Sequence, residues 1–252
     1  MPDLGAIALA AGAGVFGGAM NALAGGGSFA TMPALIGLGL PSPLANATSN
    51  VSLQPGAMAS AWAYRHGLAP VSGVGMRTMA GVTFIGGLVG SLLLVATSAH
   101  AFDLIVPWLL LFATLAIAFS TQASLWLRSR VAIGPKSLVG VQALLGVYGG
   151  YFGGGVGLML TAAWGLLSGA SPAELAAPRT LMLAVANLAA TIIFIATGMV
   201  YWALCVPMLL GGIVGGHFGA KLGLVLPARV IRVWTLLVTI ATTIVFFWRA
   251  YG

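Results

Sequence analysis

Charge is what this sequence has least of: ten Lys and Arg and three Asp and Glu are spread over 252 residues, while 60% of the side chains are hydrophobic. So few charges cannot cover a soluble protein of this length, and the composition excludes a soluble globular domain. Acid is the scarcest kind. No Asp or Glu occurs between Asp3 and Asp103, and none lies deep in an apolar run, which removes the usual carboxylate proton relay. The first 64 residues also lack Lys and Arg, so they offer no positive n-region for a cleavable signal, and Leu4–Leu23 is expected to belong to the mature fold. The lone cysteine, Cys205, excludes an internal disulfide and says nothing of redox compartment.

What the sequence has in abundance is apolar length. Uncharged stretches able to cross a hydrocarbon core of ~30 Å recur almost throughout, among them Leu4–Leu23, Leu104–Leu127 and Trp234–Trp248 with its flanks. The expected class is an all-α membrane protein, with the lipid bilayer as its main partner. The net charge of +7 comes mostly from residues flanking apolar segments. Cytoplasmic loop anchoring accounts for it without nucleic acid.

Internal repetition sets the plan. Gly25-Gly26-Gly27 recurs as Gly153-Gly154-Gly155, Ser42-Pro43 as Ser171-Pro172, and Gly86-Gly87-Leu88-Val89-Gly90 as Gly211-Gly212-Ile213-Val214-Gly215. Three landmarks in one order indicate a duplication: residues 1–127, a basic linker at 128–136, and residues 137–252. Each Ser-Pro reads as a helix start, and Glu174 completes a capping box with Ser171. Each half then reads as an apolar helix, a glycine break, a short segment (Phe29–Leu40 or Val156–Leu167) and about three further helices. At about twelve residues, ~18 Å as helix, the short segments cannot span alone. They are expected to be arms of broken or re-entrant hairpins facing a cavity. Basic residues fall in non-equivalent loops: Arg65 and Arg77 in the first half, Lys221, Arg229 and Arg232 one loop later in the second. With basic loops in the cytoplasm, the repeats are inverted.

Gly12-Ala13-Gly14-Val15-Phe16-Gly17 spells a dinucleotide fingerprint, but the required downstream acidic residue is missing. No cofactor and no metal site is expected. The triple glycines are costly in a helix, roughly 1 kcal/mol each against alanine. Their use would be to expose backbone N–H groups at half-helix starts, which favour anions; a tight packed turn would give the same sequence. Asn46, Asn50 and Gln54 form an amide stripe at four-residue spacing that needs partners from helices or solute. Thr48 and Ser52 more simply bond back to carbonyls. The repeat pairs Arg179, seven residues past Pro172, with Asn50, seven past Pro43, which puts its guanidinium ~10 Å deep as a candidate counter-charge. His217, four residues before Lys221, is the candidate for proton coupling.

Gly25–Leu35 (GGGSFATMPAL), Gly39-Leu40-Pro41 and Ala45–Asn50 (ANATSN), with the second break and Gly198–Trp202 (GMVYW), resemble the sulfite exporter TauE/SafE family over almost the whole chain. The resemblance implies a bacterial inner-membrane, multi-pass transporter for sulfite, thiosulfate, sulfonates such as sulfoacetate, or related small anions. It supports Gly25, Gly26, Gly27, Ser28, Ala47, Thr48, Ser49, Gly153, Gly154 and Gly155 as site candidates. Half two departs from the family pattern at Pro178-Arg179-Thr180, where Arg179 and Thr180 would meet a charged solute. Coupling to protons or another ion, and a homodimer, are compatible with this reading. The rivals are a small-carboxylate transporter, a passive channel, and an intramembrane serine hydrolase built on Ser28 and His217. The last lacks a glycine after the serine, and Lys221 interrupts the glycine spacing after the histidine.

Overall fold

A computed structural model describes residues 2–128, 134–171 and 173–252, with the side chains of 120–128, 224 and 228 outside the description. Part of the basic linker (129–133) and Pro172, expected as a first helical residue, lie outside the described residues. Ten α-helices make up the described fold: α1 Leu4–Ala24, α2 Ser28–Gly37, α3 Ser42–Ala63, α4 Met76–Ala96, α5 Ala99–Arg128, α6 Pro135–Tyr151, α7 Val156–Ser168, α8 Ala176–Ala196, α9 Trp202–Val225 and α10 Ala228–Tyr251. Six of these, α1, α4, α5, α8, α9 and α10, contain stretches long and apolar enough to cross a bilayer. The chain is a multi-pass membrane protein. α3, with 22 residues, has the length but carries the amide stripe, and it is buried by protein along most of its course.

The short helices are 10 and 13 residues long, and both fold back on the helix before them. Gly27 packs on Asn21 while Thr31 packs on Gly17, so α2 runs antiparallel to α1. Val156 lies against Gly149 and Trp164 donates to Gln142 at 2.9 Å, so α7 returns along α6. Each break is therefore the turn of a helical hairpin. Its turn needs glycine: Gly25, Gly153 and Gly155 have φ of 75°, 71° and 71°, a left-handed region costly for other residues.

Small residues bring the long helices together. A Cβ on Gly14 or Gly18 would collide with the carbonyl of Met208 or Gly212, and Gly86 and Gly90 meet α6 in the same manner, against Gly146 and Val147. The rising registers make α1 parallel to α9 and α4 parallel to α6. Such glycine seams let backbones approach where apolar burial gives no drive between helices. α3 and α8 instead cross antiparallel at the centre, with Gln54 bonded to Ala184 and Asn50 to Asn187.

α8 starts later than the Ser171-Pro172 pair implies. The capping box forms, since Ser171 N–H and Oγ both donate to Glu174 at 2.7 Å. These bonds, from the hydroxyl first and then the backbone, hold the exposed Glu174 carboxyl below its ordinary range. The helix itself begins only at Ala176, after a tight turn in which Ala176 N–H bonds to the carbonyl of Ala173. Arg179 therefore stands in the first turn of α8 rather than two turns deep.

Candidate functional site

The two hairpin tips meet. A Cβ on Gly25 would stand 2.9 Å from Gly157 Cα, and the reverse distance is also 2.9 Å. No larger residue pair could let the two backbones come this close. α2 and α7 both begin at this junction, and the N–H groups of Gly26, Gly27 and Ser28 carry no hydrogen-bond partner among the described residues. Two half-helix N-termini thus bring partial positive charge to one buried place. Phe29 closes one wall, its ring against Gly26 and Gly155.

Beside the tips lies a neutral polar cluster built by α3 and α8. Asn50 Nδ2 donates to Asn187 Oδ1 at 3.3 Å, and Asn50 Oδ1 accepts from Thr191 at 3.1 Å. Gly153 is held against this amide pair; a Cβ there would be 3.3 Å from Asn50 Nδ2. Ser49 Oγ and Thr31 Oγ1 share a hydrogen bond of 2.5 Å that ties α3 to α2. Asn46 donates to the Tyr151 carbonyl at 3.1 Å and Gln54 to the Ala184 carbonyl at 3.2 Å. Thr48 does not bond back to its own helix: its Oγ1 accepts the Tyr201 N–H at 3.0 Å. Ser52 does bond back, to the carbonyl of Ser49.

The glycines of both breaks, Ser28 at the start of α2, Ser49 and Asn50 are therefore gathered in one region, with Asn46, Thr48 and Gln54 on the same helix above and below. Gly154 supplies a carbonyl to the Tyr148 hydroxyl at 2.6 Å. Arg179 and His217 are not brought to the tips. Asn50 faces Asn187 rather than Arg179, which stands eight residues earlier on α8, about 12 Å along the axis. Its Nε is buried without a partner among the described residues. Thr180 bonds back to the Ala176 carbonyl. His217 is exposed on α9, its ring against Phe218, and no hydrogen bond joins it to Ser28 among the described residues.

Asn187, Thr191 and Thr31 escaped the sequence reading. Asn187 is the one amide side chain of α8, and an intramembrane polar residue of that kind was the available signal. The repeat register hid it. Half two spends more residues between its break and its second long helix than half one does, so counting from the Ser-Pro pairs lands on the wrong residue.

Openings lie at either end of α3. A cavity of about 880 Å³ is lined by Asp3, Ala6, Leu38, Leu40 and Tyr201, beside the start of α3. Toward the opposite end a narrow crevice, with Asn21, Gly56 and Ser60 on its walls, runs between α1, α3 and α9.

The family model for the sulfite exporter TauE/SafE matches residues 10–246. The chain belongs to the sulfite exporter TauE/SafE family. Its relatives include a probable membrane transporter protein of Haemophilus influenzae, 29% identical over 81% of this chain and 79% of the relative. Another is the probable membrane transporter protein YfcA of Escherichia coli K12, 29% identical over 93% of this chain and 87% of the relative. No solved structure matches. As a TauE/SafE membrane transporter, the protein has its two glycine breaks and the α3 and α8 amides inside the matched span.

Proposed function

We infer that this TauE/SafE protein is a secondary transporter that moves small anions, sulfite, thiosulfate or organosulfonates such as sulfoacetate, across the bacterial inner membrane by alternating access. The observation that carries the reading is the contact between the hairpin tips at Gly25 and Gly157, where two half-helix N-termini converge beside the Asn50–Asn187 pair. Backbone N–H groups and amide donors suit sulfonate and sulfite oxygens, and irregular backbone at membrane depth is tolerated where it is buried or lines a cavity. The substrate would be held by Gly25–Ser28, Ser49, Asn50 and Gly153–Gly155. Arg179 serves as a positive mouth at the end of α3, drawing anions in rather than clamping them.

The two halves are inverted repeats in this reading. Helix directions support it: α1 and α6 open the two halves, and the parallel pairings α1 with α9 and α4 with α6, together with antiparallel α3 and α8, give them opposite senses. In each half the first helix and the short one form a hairpin that begins and ends on one side, which leaves three crossings, an odd number, and makes the inversion possible. The wide cavity at one end of α3 and the narrow crevice at the other support a state open to one side. Proteoliposome uptake and counterflow with sulfite, thiosulfate, sulfoacetate and small carboxylates test the proposal. Counterflow by the sulfur oxyanions supports it; flux without counterflow would make the protein a channel, and transport of carboxylates alone would reassign the substrate.

A further inference from the structure

Three buried side-chain oxygens of α3, those of Ser42, Asn46 and Gln54, have no hydrogen-bond partner among the described residues, and the first two lie together near the start of the helix. Ser42 is 2% exposed and Asn46 1%, yet neither Ser42 Oγ nor Asn46 Oδ1 has a hydrogen-bond partner among the described residues. Lying four residues apart on α3, they share one helical face, with Cβ atoms roughly 5–6 Å apart. The Asn46 amide has a defined orientation, because its Nδ2 donates to the Tyr151 carbonyl at 3.1 Å. That leaves Oδ1 a bare acceptor. A buried acceptor without a donor has given up its hydration for nothing in return.

Tyr151 is the last residue of α6. The N–H groups of Phe152 and Gly153 both turn back to the Tyr148 carbonyl, so the carbonyls of Gly149 and Gly150 accept no backbone N–H among the described residues. They form the negative end of the α6 dipole. The face of α3 that carries Asn46 is thus bonded to a helix C-terminus, the opposite polarity from the N-termini at the hairpin tips. Half two has no counterpart: the residue four before Asn187 is Leu183, where Asn46 stands four before Asn50. The bare oxygens are therefore not a by-product of the duplication.

We propose that Ser42, Asn46 and the carbonyl end of α6 bind a monovalent cation, sodium. Every ligand is a hard, neutral oxygen. A divalent ion would leave most of its charge uncompensated in the bilayer, whereas a single positive charge is offset in part by the carbonyl end of α6, roughly half a charge, from which the start of α3 at Ser42 subtracts. Carbonyls and half-helix C-termini hold coupling ions in this manner in membrane transporters. Asn46 is one turn from Asn50, about 6 Å along α3. The cation supplies at short range the positive charge that the neutral cluster lacks and that Arg179 provides only from a distance. Cation and anion then raise each other's affinity by the same factor. The role as driving ion rests on the transporter reading; the cation site does not.

The test is the melting temperature of the purified full-length protein in NaCl, KCl and choline chloride at equal ionic strength. Sodium should give a saturable upward shift and choline none, with potassium requiring at least about tenfold more salt, since binding to the native state alone raises apparent stability. Ser42→Ala should weaken the sodium response about tenfold, Asn46→Leu should abolish it, and Asn46→Asp, which keeps the oxygen and adds charge, should tighten it. A cooperative melting transition of Asn46→Leu in choline chloride, at a temperature close to that of the unsubstituted protein, shows that this variant is folded. Equal shifts in all three salts, or an unchanged sodium response in Asn46→Leu, would overturn the site and leave these oxygens to an ordered water. A sodium-selective shift in a protein that moves no anion would retire the transporter reading and keep the cation site.

Discussion

Gly25 and Gly157 meet backbone to backbone, each so placed that a Cβ would stand 2.9 Å from the other's Cα. The contact joins the tip of the first hairpin to the start of α7, so both halves of the chain share one point. Neither glycine can become larger without parting the hairpins, and Gly25 in addition needs its positive φ of 75°.

Gly157→Val should therefore abolish transport while the protein still inserts and is purified. Gly25→Ala should lower stability by at least about 1–2 kcal/mol from left-handed strain, with the clash of its Cβ on Gly157 in addition. Gly12→Ala, with nothing within 4 Å of its Cβ position, is the control and should transport normally. Counterflow and melting temperature measured on the three variants separate packing at the tips from a general intolerance of added bulk.

The amide pair yields a second expectation. Asn50→Leu and Asn187→Leu should each reduce counterflow by an order of magnitude or more, and the double variant should be little worse than either single one, because both remove the same hydrogen bond. Fully additive losses would mean that the two amides act separately.

Arg179 sits about 12 Å along α8 from Asn187, in the first turn of that helix. Arg179→Gln should raise the half-saturating anion concentration several-fold, with the change shrinking as salt is added, as expected of long-range attraction. Arg179→Lys should retain most of the function and Arg229→Gln all of it. Loss of anion-induced thermal stabilisation in Arg179→Gln that is insensitive to salt would move the arginine into direct contact with substrate.

Topology can be read by labelling. Cysteines placed singly at Gly67 and Gly223, in a Cys205→Ser background, should both react only from the cytoplasmic face. Gly67 lies against Ala177 at the start of α8, and Gly223 is near the end of α9, so labelling from opposite faces would contradict the inverted arrangement.

Much of the fold could be read in advance, because apolar length and repeated glycine are local signals. Ser28–Gly37 and Val156–Ser168 match the short segments expected after the breaks, since three glycines end a helix whatever surrounds them. The Ser171–Glu174 capping box is equally local and forms. Asn187 and the true depth of Arg179 were not legible. Both depend on where α8 starts, and that start is set by a tight turn at Ala173–Ala176 and by packing on α3, not by the Ser-Pro pair. Thr48 departs from simple back-bonding for a similar reason: its partner, Tyr201, is 153 positions away.

By itself the sequence determined the membrane class, the helical character and the positions of the breaks, because each follows from hydropathy and backbone preference within a few neighbouring residues. Only the tertiary structure decided that each break folds back as a hairpin, that the two tips touch at Gly25 and Gly157, and that Asn50 answers to Asn187. Those relations join residues more than a hundred positions apart. Glycine seams and crossing helices set them, and a neutral amide on one helix carries no mark of which amide on another will face it.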